Sequence, residues 1–178
     1  MTGDPDDADS RILQWARRSA ADYVSKHSTS RANLEKIIAR RASRRYPDLA
    51  SEKAAEIARK TADFFVEHLF VDDAAYAEAR VRSGVRKGHS RRRIAAGLVA
   101  KGVEAETAAE ALSGADDMVA ALAFAKRRRI GPWRRGEDNR ETRDKEGAAL
   151  ARSGFSYEIS RRIVSMSLDE AEEAASSS

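Results

Sequence analysis

The 178-residue sequence predicts an all-α protein that consists of three tandem three-helix repeats. Residues of high helix propensity dominate, and the alternating patterns of Val, Ile and Thr that mark strands are absent. A segment that begins at Ser90 recurs in weaker form 52 residues later. Under that offset Leu98 matches Leu150, and Gly102 matches Gly154. A third, fainter copy lies upstream, and such repetition is typical of proteins that stack supersecondary units.

The first repeat is expected over residues 11–70. Apolar spacing predicts a helix from about Ile12 to Lys26. Ser30 is the expected N-cap of a second helix, and Pro47 predicts the turn that follows it. A third helix should begin near Ser51, which has the residue type of an N-cap.

The second repeat is expected over residues 71–115. Asp72 or Asp73 can cap its first helix, and Ser90 can cap the next. Gly102 stands where a left-handed residue commonly ends a helix, because glycine adopts positive φ without steric cost.

The third repeat is expected over residues 116–168, and it brings the total to nine helices. Asp116 or Asp117 should begin its first helix. A long basic loop follows, and the next helix should start at about Thr142. Ser156 is the expected cap of the last helix.

The formal net charge of +4 hides a segregation of charge along the chain. Residues 1–10 and residues 169–178 each contain four acids and no base, and we expect both tails to be disordered. All 33 Lys and Arg residues lie within residues 11–168, where 21 acids accompany them, so this body carries +12. A body this basic indicates a polyanionic partner or an acidic protein surface.

Several classes of protein are disfavoured by composition. The chain has no cysteine, so disulfides and thiolate metal sites are excluded. It has no apolar run of the roughly 18 residues that a membrane span needs, and its acidic N-terminus is unlike a signal peptide. We therefore expect a cytoplasmic protein that has no membrane partner.

Recognisable catalytic and ligand-binding motifs are missing from the sequence. His27, His68 and His89 lack the spacing of metal ligands. The glycines at 131 and 136 do not form a phosphate-binding loop, and no Ser/His/Asp set stands out. The sequence thus predicts that the protein is not an enzyme and uses neither a metal ion nor a cofactor.

Basic residues form runs that lack acidic neighbours. One run lies between Glu78 and Glu104, a second spans residues 126–135, and a third lies at residues 40–45. Solvated helix faces would explain a single run, but three runs in equivalent repeat positions favour a stripe that binds nucleic acid. The candidate residues for binding DNA or a protein partner are Arg80, Arg82, Arg86, Lys87, Arg91, Arg92, Arg93, Lys101, Arg127, Arg128, Arg129, Arg134, Arg135 and Arg143.

Three segments together resemble the RecX family of recombination regulators. They are FVDDAAYAEARVRSGVRKGHSRRRIAAGLVAKGVEAETAAEAL in the middle, KEGAALARSGFSYEISRRIV near the C-terminus and a weaker SRANLEKII near the start. The resemblance implies three tandem three-helix repeats that form an elongated, curved molecule. It also implies a regulator that binds RecA and the RecA–DNA filament and limits filament extension, ATP hydrolysis, strand exchange and co-protease activity. The expected partners are the RecA filament and single- and double-stranded DNA, and we expect a monomer.

Two departures from this pattern stand out. The first repeat has Ala42 where the others have glycine, and the third has Glu146 where Ile94 stands in the second. Two other functions also stay open: a general nucleic-acid-binding helical repeat protein that acts without RecA, and a HEAT-like scaffold that binds proteins.

Overall fold

The structure, a computed structural model, describes residues 5–176, and it describes residues 5–8 by their backbone alone. Within this range all regular secondary structure is helical and there is no strand, which confirms the all-α prediction. None of the helices described is long and apolar enough to cross a membrane. The elements are α1 (Pro5–Val24), α2 (Arg31–Arg45), α3 (Ser51–Glu67), α4 (Asp73–Arg86), α5 (Arg91–Ala100), α6 (Ala105–Leu112), α7 (Asp117–Arg128), a 3-10 helix (Gly131–Trp133), α8 (Arg140–Arg152), α9 (Tyr157–Ser165) and α10 (Leu168–Ser176).

The acidic ends differ from the expected disorder. Residues 1–4 and 177–178 lie outside the described residues, but α1 already begins at Pro5 and α10 covers most of the C-terminal tail. The reason at the C-terminal end is packing: Ala171 is fully buried in an apolar core, so burial offsets the entropy of ordering the segment. The described part of the chain therefore has ten α-helices where nine were expected.

The chain divides into two compact units. The first comprises Met1–Tyr76 and Ala100–Glu104, and the second comprises Ala77–Val99 and Ala105–Ser178. In the first unit α1, α2 and α3 surround a core that includes Leu34, Ile38, Ile57 and Phe65. In the second unit α7, α8, α9 and α10 contribute to a core that includes Phe124, Leu150, Phe155, Ile163 and Ala171.

Serine caps make the same pair of bonds in both units. In the first unit Ser30 Oγ accepts a hydrogen bond from Asn33 N at 3.2 Å and donates to the Lys101 carbonyl at 2.5 Å. In the second unit Ser90 Oγ accepts from Arg93 N at 3.3 Å and donates to the Ser153 carbonyl at 2.8 Å. Each serine thus caps its own helix and also binds the carbonyl at the end of a later one.

Aspartates complete the same two helix starts. Asp73 Oδ1 accepts from the Arg31 backbone N–H at 2.7 Å, and Asp117 Oδ1 accepts from that of Arg91 at 2.6 Å. The residue before each aspartate caps the aspartate's own helix, as Asp72 Oδ1 does through Ala75 N at 3.0 Å. In each predicted pair of aspartates, the first residue therefore caps its own helix, and the second accepts a hydrogen bond from the start of a distant helix.

Glycine is required in the turns that follow α5 and α8. Gly102 has a φ of 73°, and a Cβ there would lie 2.5 Å from Ala32 Cβ. Gly154 has a φ of 96°, and a Cβ there would collide with Ser90 Oγ. The predicted left-handed residue at Gly102 is confirmed, and the close approach explains why a side chain would not fit.

Most predicted caps are confirmed, but one cap and one helix start differ. Ser156 caps α9 by accepting from Ile159 N at 3.2 Å. Ser51 is not an N-cap, because Ala50 holds that position and provides no side-chain bond. Similarly α8 begins earlier than expected, because Asn139 Oδ1 accepts from Thr142 N at 2.9 Å.

Candidate functional site

Two basic segments that are separate in the sequence meet in the second unit. Gly88 ends α4 with a φ of 70°, and a Cβ there would lie 2.5 Å from the backbone nitrogen of Phe124. The turn after α4 therefore lies directly against α7. Arg127 on α7 also donates a hydrogen bond to the Lys87 carbonyl. This contact brings the run that precedes Glu104 next to the run that begins at Lys126.

A cleft between α4 and α5 is lined by several of these basic side chains. Its volume is about 210 Å³. Apolar atoms of Ile94 and Leu98 contribute to its wall. We call it the basic cleft and define it by Arg80, Ser83, Lys87, His89, Arg93 and Gly97.

The electrostatic field in the basic cleft is positive. Partial burial lowers the pKa of His89 below its usual range, and the nearby charges of Arg93, Arg127, Lys87 and Arg80 lower it further. Each of these cations disfavours a second positive charge on the imidazole. His89 is therefore a neutral group at neutral pH, surrounded by cations from three helices.

A second cavity adjoins the basic cleft. Its volume is about 460 Å³, and Arg93, Arg128 and Arg152 contribute to its lining. Arg93 lines both cavities. The guanidinium carbons of Arg127 and Arg128 each lie 5.9 Å from the centroid of the Phe124 ring, which gives both side chains an aromatic support.

Six cations of this surface lack an ionic partner among the side chains that the structure describes. Within residues 9–176, no carboxylate lies within 4.0 Å of their charged groups. All of them are exposed. A group of like charges without counter-charges attracts anionic ligands, and most strongly at low ionic strength. The six residues are Arg80, Lys87, Arg93, Arg127, Arg128 and Arg152.

Comparison with known proteins identifies the family. The family model for the second three-helix domain of RecX matches residues 72–112, which include α4, α5 and the whole basic cleft. The regulatory protein RecX of Agrobacterium fabrum strain C58 is 39% identical over 167 residues, which cover 94% of this chain and 91% of that protein. The chain belongs to the RecX family.

Other RecX proteins agree with this result. The regulatory protein RecX of Myxococcus xanthus strain DK1622 is 31% identical over 157 residues, which cover 84% of this chain and 84% of that protein. A crystal structure of regulatory protein RecX has a TM-score of 0.65 at 22% identity, and the aligned part covers 88% of this chain and 73% of the crystallised chain. The crystal structure of RecX from Lactobacillus salivarius has a TM-score of 0.60 at 19% identity, and the aligned part covers 95% of this chain and 99% of the crystallised chain. These two structures support the fold.

Arg134 and Arg143, which were both predicted to bind a partner, form ion pairs next to the basic loop of this RecX-family chain. Arg134 Nη2 lies 2.6 Å from Glu146 Oε2 and donates to the Val164 carbonyl at 2.9 Å, and its side chain is only 11% exposed. The hydrogen bond to Glu146 raises the pKa of Arg134. Arg143 Nε lies 2.6 Å from Asp138 Oδ1 and is more exposed. Arg134 thus holds the basic loop onto the core.

The same contacts explain the departure of the third repeat from the repeat pattern. Glu146 stands where the second repeat has Ile94, and its Oε2 accepts from the Gly131 backbone N–H at 3.0 Å as well as from Arg134. The carboxylate therefore fixes the start of the long loop. An apolar residue at this position would leave both donors without this partner.

The other predicted site residues occupy different places. Arg82 pairs with Glu78 one turn earlier, at 3.2 Å. Lys101 belongs to the first unit, where its ammonium group donates to Asn33 Oδ1 at 3.2 Å. Arg129 is the left-handed C-cap of α7. The remaining candidates are exposed in the second unit: Arg86, Arg91, Arg92 and Arg135.

Several members of the two cavities were missed in the sequence. His89 was judged only as a metal ligand, and Ser83 belongs to no motif. Arg152 is an isolated base on α8, so a search for acid-free runs does not find it. Its position beside Arg93 depends on how the helices pack, and the sequence contains no local signal of this contact.

Proposed function

We propose that this chain is a non-enzymatic regulator that binds RecA and the RecA–DNA filament and limits filament extension, ATP hydrolysis, strand exchange and co-protease activity. Its relatives in Agrobacterium fabrum and Myxococcus xanthus are named as regulatory proteins. The observation that carries the proposal is the group of cations without ionic partners around the basic cleft. Such a surface suits the phosphates of single- and double-stranded DNA.

The physical basis is the release of counterions. Cations that neutralise backbone phosphates release the salt ions condensed on DNA, so binding is strong at low salt and falls as salt rises. Arg80, Lys87 and Arg93 line one cleft, and Arg93 and Arg128 line the next. Their charges are available to a ligand because none is neutralised by a carboxylate within the described chain.

The test is an assay of DNA-dependent ATP hydrolysis by RecA. Substoichiometric full-length protein should slow the reaction. The double variant Lys87→Glu/Arg93→Glu should need about tenfold more protein for the same slowing, because reversal of two cleft charges weakens contact with phosphate. The matched control is Arg18→Glu/Arg59→Glu, which makes the same change of charge at exposed positions of the first unit.

Two results would contradict the proposal. Failure of the unmodified protein to slow ATP hydrolysis, even in excess and at low salt, would remove RecA regulation. Equal loss in the cleft variant and its control would mean that net charge matters and the cleft does not. Salt-sensitive DNA binding without an effect on RecA would favour the general nucleic-acid-binding function.

A further inference from the structure

The basic cleft has the size and chemistry of a site for one small anion. We propose that it binds a single phosphate group of a nucleic-acid backbone and that Gly97 keeps its entrance open. The proposal rests on the function above, since it assigns the anion to DNA. It adds a defined site to what would otherwise be a diffuse attraction.

The shape of the cleft comes from two glycines. At Gly84 a Cβ would lie 2.7 Å from Ile94 Cδ1, so the absence of a side chain lets α5 pack closely on α4. At Gly97 a Cβ would meet no atom within 4 Å, so this side of the cleft is open. The resulting volume of about 210 Å³ is below the roughly 300–1,000 Å³ of pockets for drug-sized ligands. A phosphate group is a suitable occupant of this space.

The polar groups of the cleft are side chains. Arg80, Lys87 and Arg93 provide positive charge, and the neutral imidazole of His89 lies among them. Two backbone N–H groups at the α5 N-terminus already have partners, since that of Arg91 is bonded to Asp117 and that of Arg93 to Ser90. We therefore assign the anion to the side-chain cations.

The adjoining cavity favours a nucleic-acid phosphate over an isolated carboxylate. Arg93 lines both cavities, and the second one adds Arg128 and Arg152. A ligand with successive anionic groups can occupy the two cavities on either side of Arg93. A phosphodiester chain has this property, whereas a single acidic side chain would use only one of them.

The test fills the entrance without removal of any charge. Gly97→Leu places a side chain in the cleft, Gly97→Ala places a smaller one, and Gly147→Leu is the matched control on α8, where a Cβ also meets no atom within 4 Å. The probe is a fluorescein-labelled oligothymidine, and the measurement is its anisotropy with full-length protein at low salt, without RecA. Circular dichroism checks the helix content of each variant.

The expected result depends on size. Gly97→Leu should weaken binding about tenfold and reduce the salt slope by about 1, Gly97→Ala should have a smaller effect, and Gly147→Leu should bind like the unmodified protein. Parallel assays of RecA ATP hydrolysis separate the two proposals. Cleft-dependent DNA binding without an effect on RecA would retain the phosphate site and reject the regulatory function. If Gly97→Leu binds DNA like the unmodified protein, the phosphate site is overturned, and loss of RecA inhibition alone would assign the cleft to an acidic group of the recombinase.

Discussion

His89 shows how a single residue responds to its neighbours. Arg80 and Lys87 face it from α4 and its following turn, Arg93 from α5 and Arg127 from α7. Partial burial and these four cations lower the pKa of the imidazole. The folded protein therefore disfavours the protonated form, so its stability decreases as pH falls through the ordinary titration range of histidine.

A bound phosphate would oppose this preference, which gives a prediction for pH dependence. The anion stabilises the imidazolium, so binding takes up a proton, and DNA affinity should rise as pH falls from about 8 to about 5.5. His89→Gln should weaken this rise by roughly threefold, because glutamine does not titrate. Anisotropy with labelled oligothymidine across this pH range measures the effect. An unchanged pH profile in His89→Gln would show that another group is responsible.

Single residues also mark a limit of sequence-based prediction. The sequence predicts that both Arg127 and Arg134 bind a partner, because both lie in the second basic run. The structure separates them, because Arg127 lies beside the cleft whereas Arg134 is held by Glu146 and the Val164 carbonyl. A count of charges contains no information about the direction of a side chain, so it cannot distinguish a binding residue from a structural one.

At the scale of helices, the caps account for the most specific predictions. Ser30, Ser90 and Ser156 all accept a backbone N–H three residues later, as their residue type predicts. The distant bonds of Ser30 and Ser90 were not predicted, because a bond to a residue far along the chain depends on packing. The start of α8 was misplaced for a local reason: Asn139 is also a good N-cap.

The two kinds of cap differ in their expected energies. Ser90→Ala should lower the free energy of unfolding by about 2 kcal/mol, since it removes an N-cap and the donor to the Ser153 carbonyl. Ser156→Ala is the matched control, because Ser156 is exposed and only caps its own helix, and it should cost about 1 kcal/mol. Urea unfolding followed by circular dichroism measures both. Equal losses would show that the bond to Ser153 adds nothing.

At the scale of the whole molecule, the acids at the C-terminal end remain separate from the basic body, but residues 168–176 form a helix where disorder was predicted. α10 starts with a reciprocal capping box, in which Glu170 N donates to Ser167 Oγ at 3.2 Å and Ser167 N donates to Glu170 Oε2 at 2.7 Å. The hydrogen bonds from Ser167 lower the pKa of Glu170. An ordered helix thus places four acids on a protein whose body is basic.

The acids of α10 should reduce DNA affinity through long-range repulsion. Asp169→Asn/Glu172→Gln leaves the capping box intact and raises the net charge by two. We expect about threefold tighter binding of oligothymidine at low salt and no difference at high salt, because salt screens distant charges. Titrations at two salt concentrations test this, and a gain that persists at high salt would indicate a direct contact.

The sequence predicts the class of fold better than the candidate site. Helix propensity, period and caps are local or repeated signals, so the all-α class follows from them and agrees with the structure. The junction of the two basic segments depends on Gly88 lying against Phe124, and the shared lining by Arg93 and Arg152 depends on how α5 and α8 pack. These are tertiary contacts between distant residues, and one sequence contains no measure of them.

The bond of Ser90 also bears on how many copies such a chain can contain. A helix that begins with this serine has a hydroxyl that binds the end of a later helix. α8 begins instead with Asn139, whose amide donates to Glu137 at 3.4 Å and whose oxygen accepts from Thr142, so its polar atoms are used locally. Among the described residues, the start of α8 therefore lacks the serine hydroxyl that makes this distant bond at the starts of α2 and α5. An engineer who wished to lengthen the series would first have to restore a serine at that helix start.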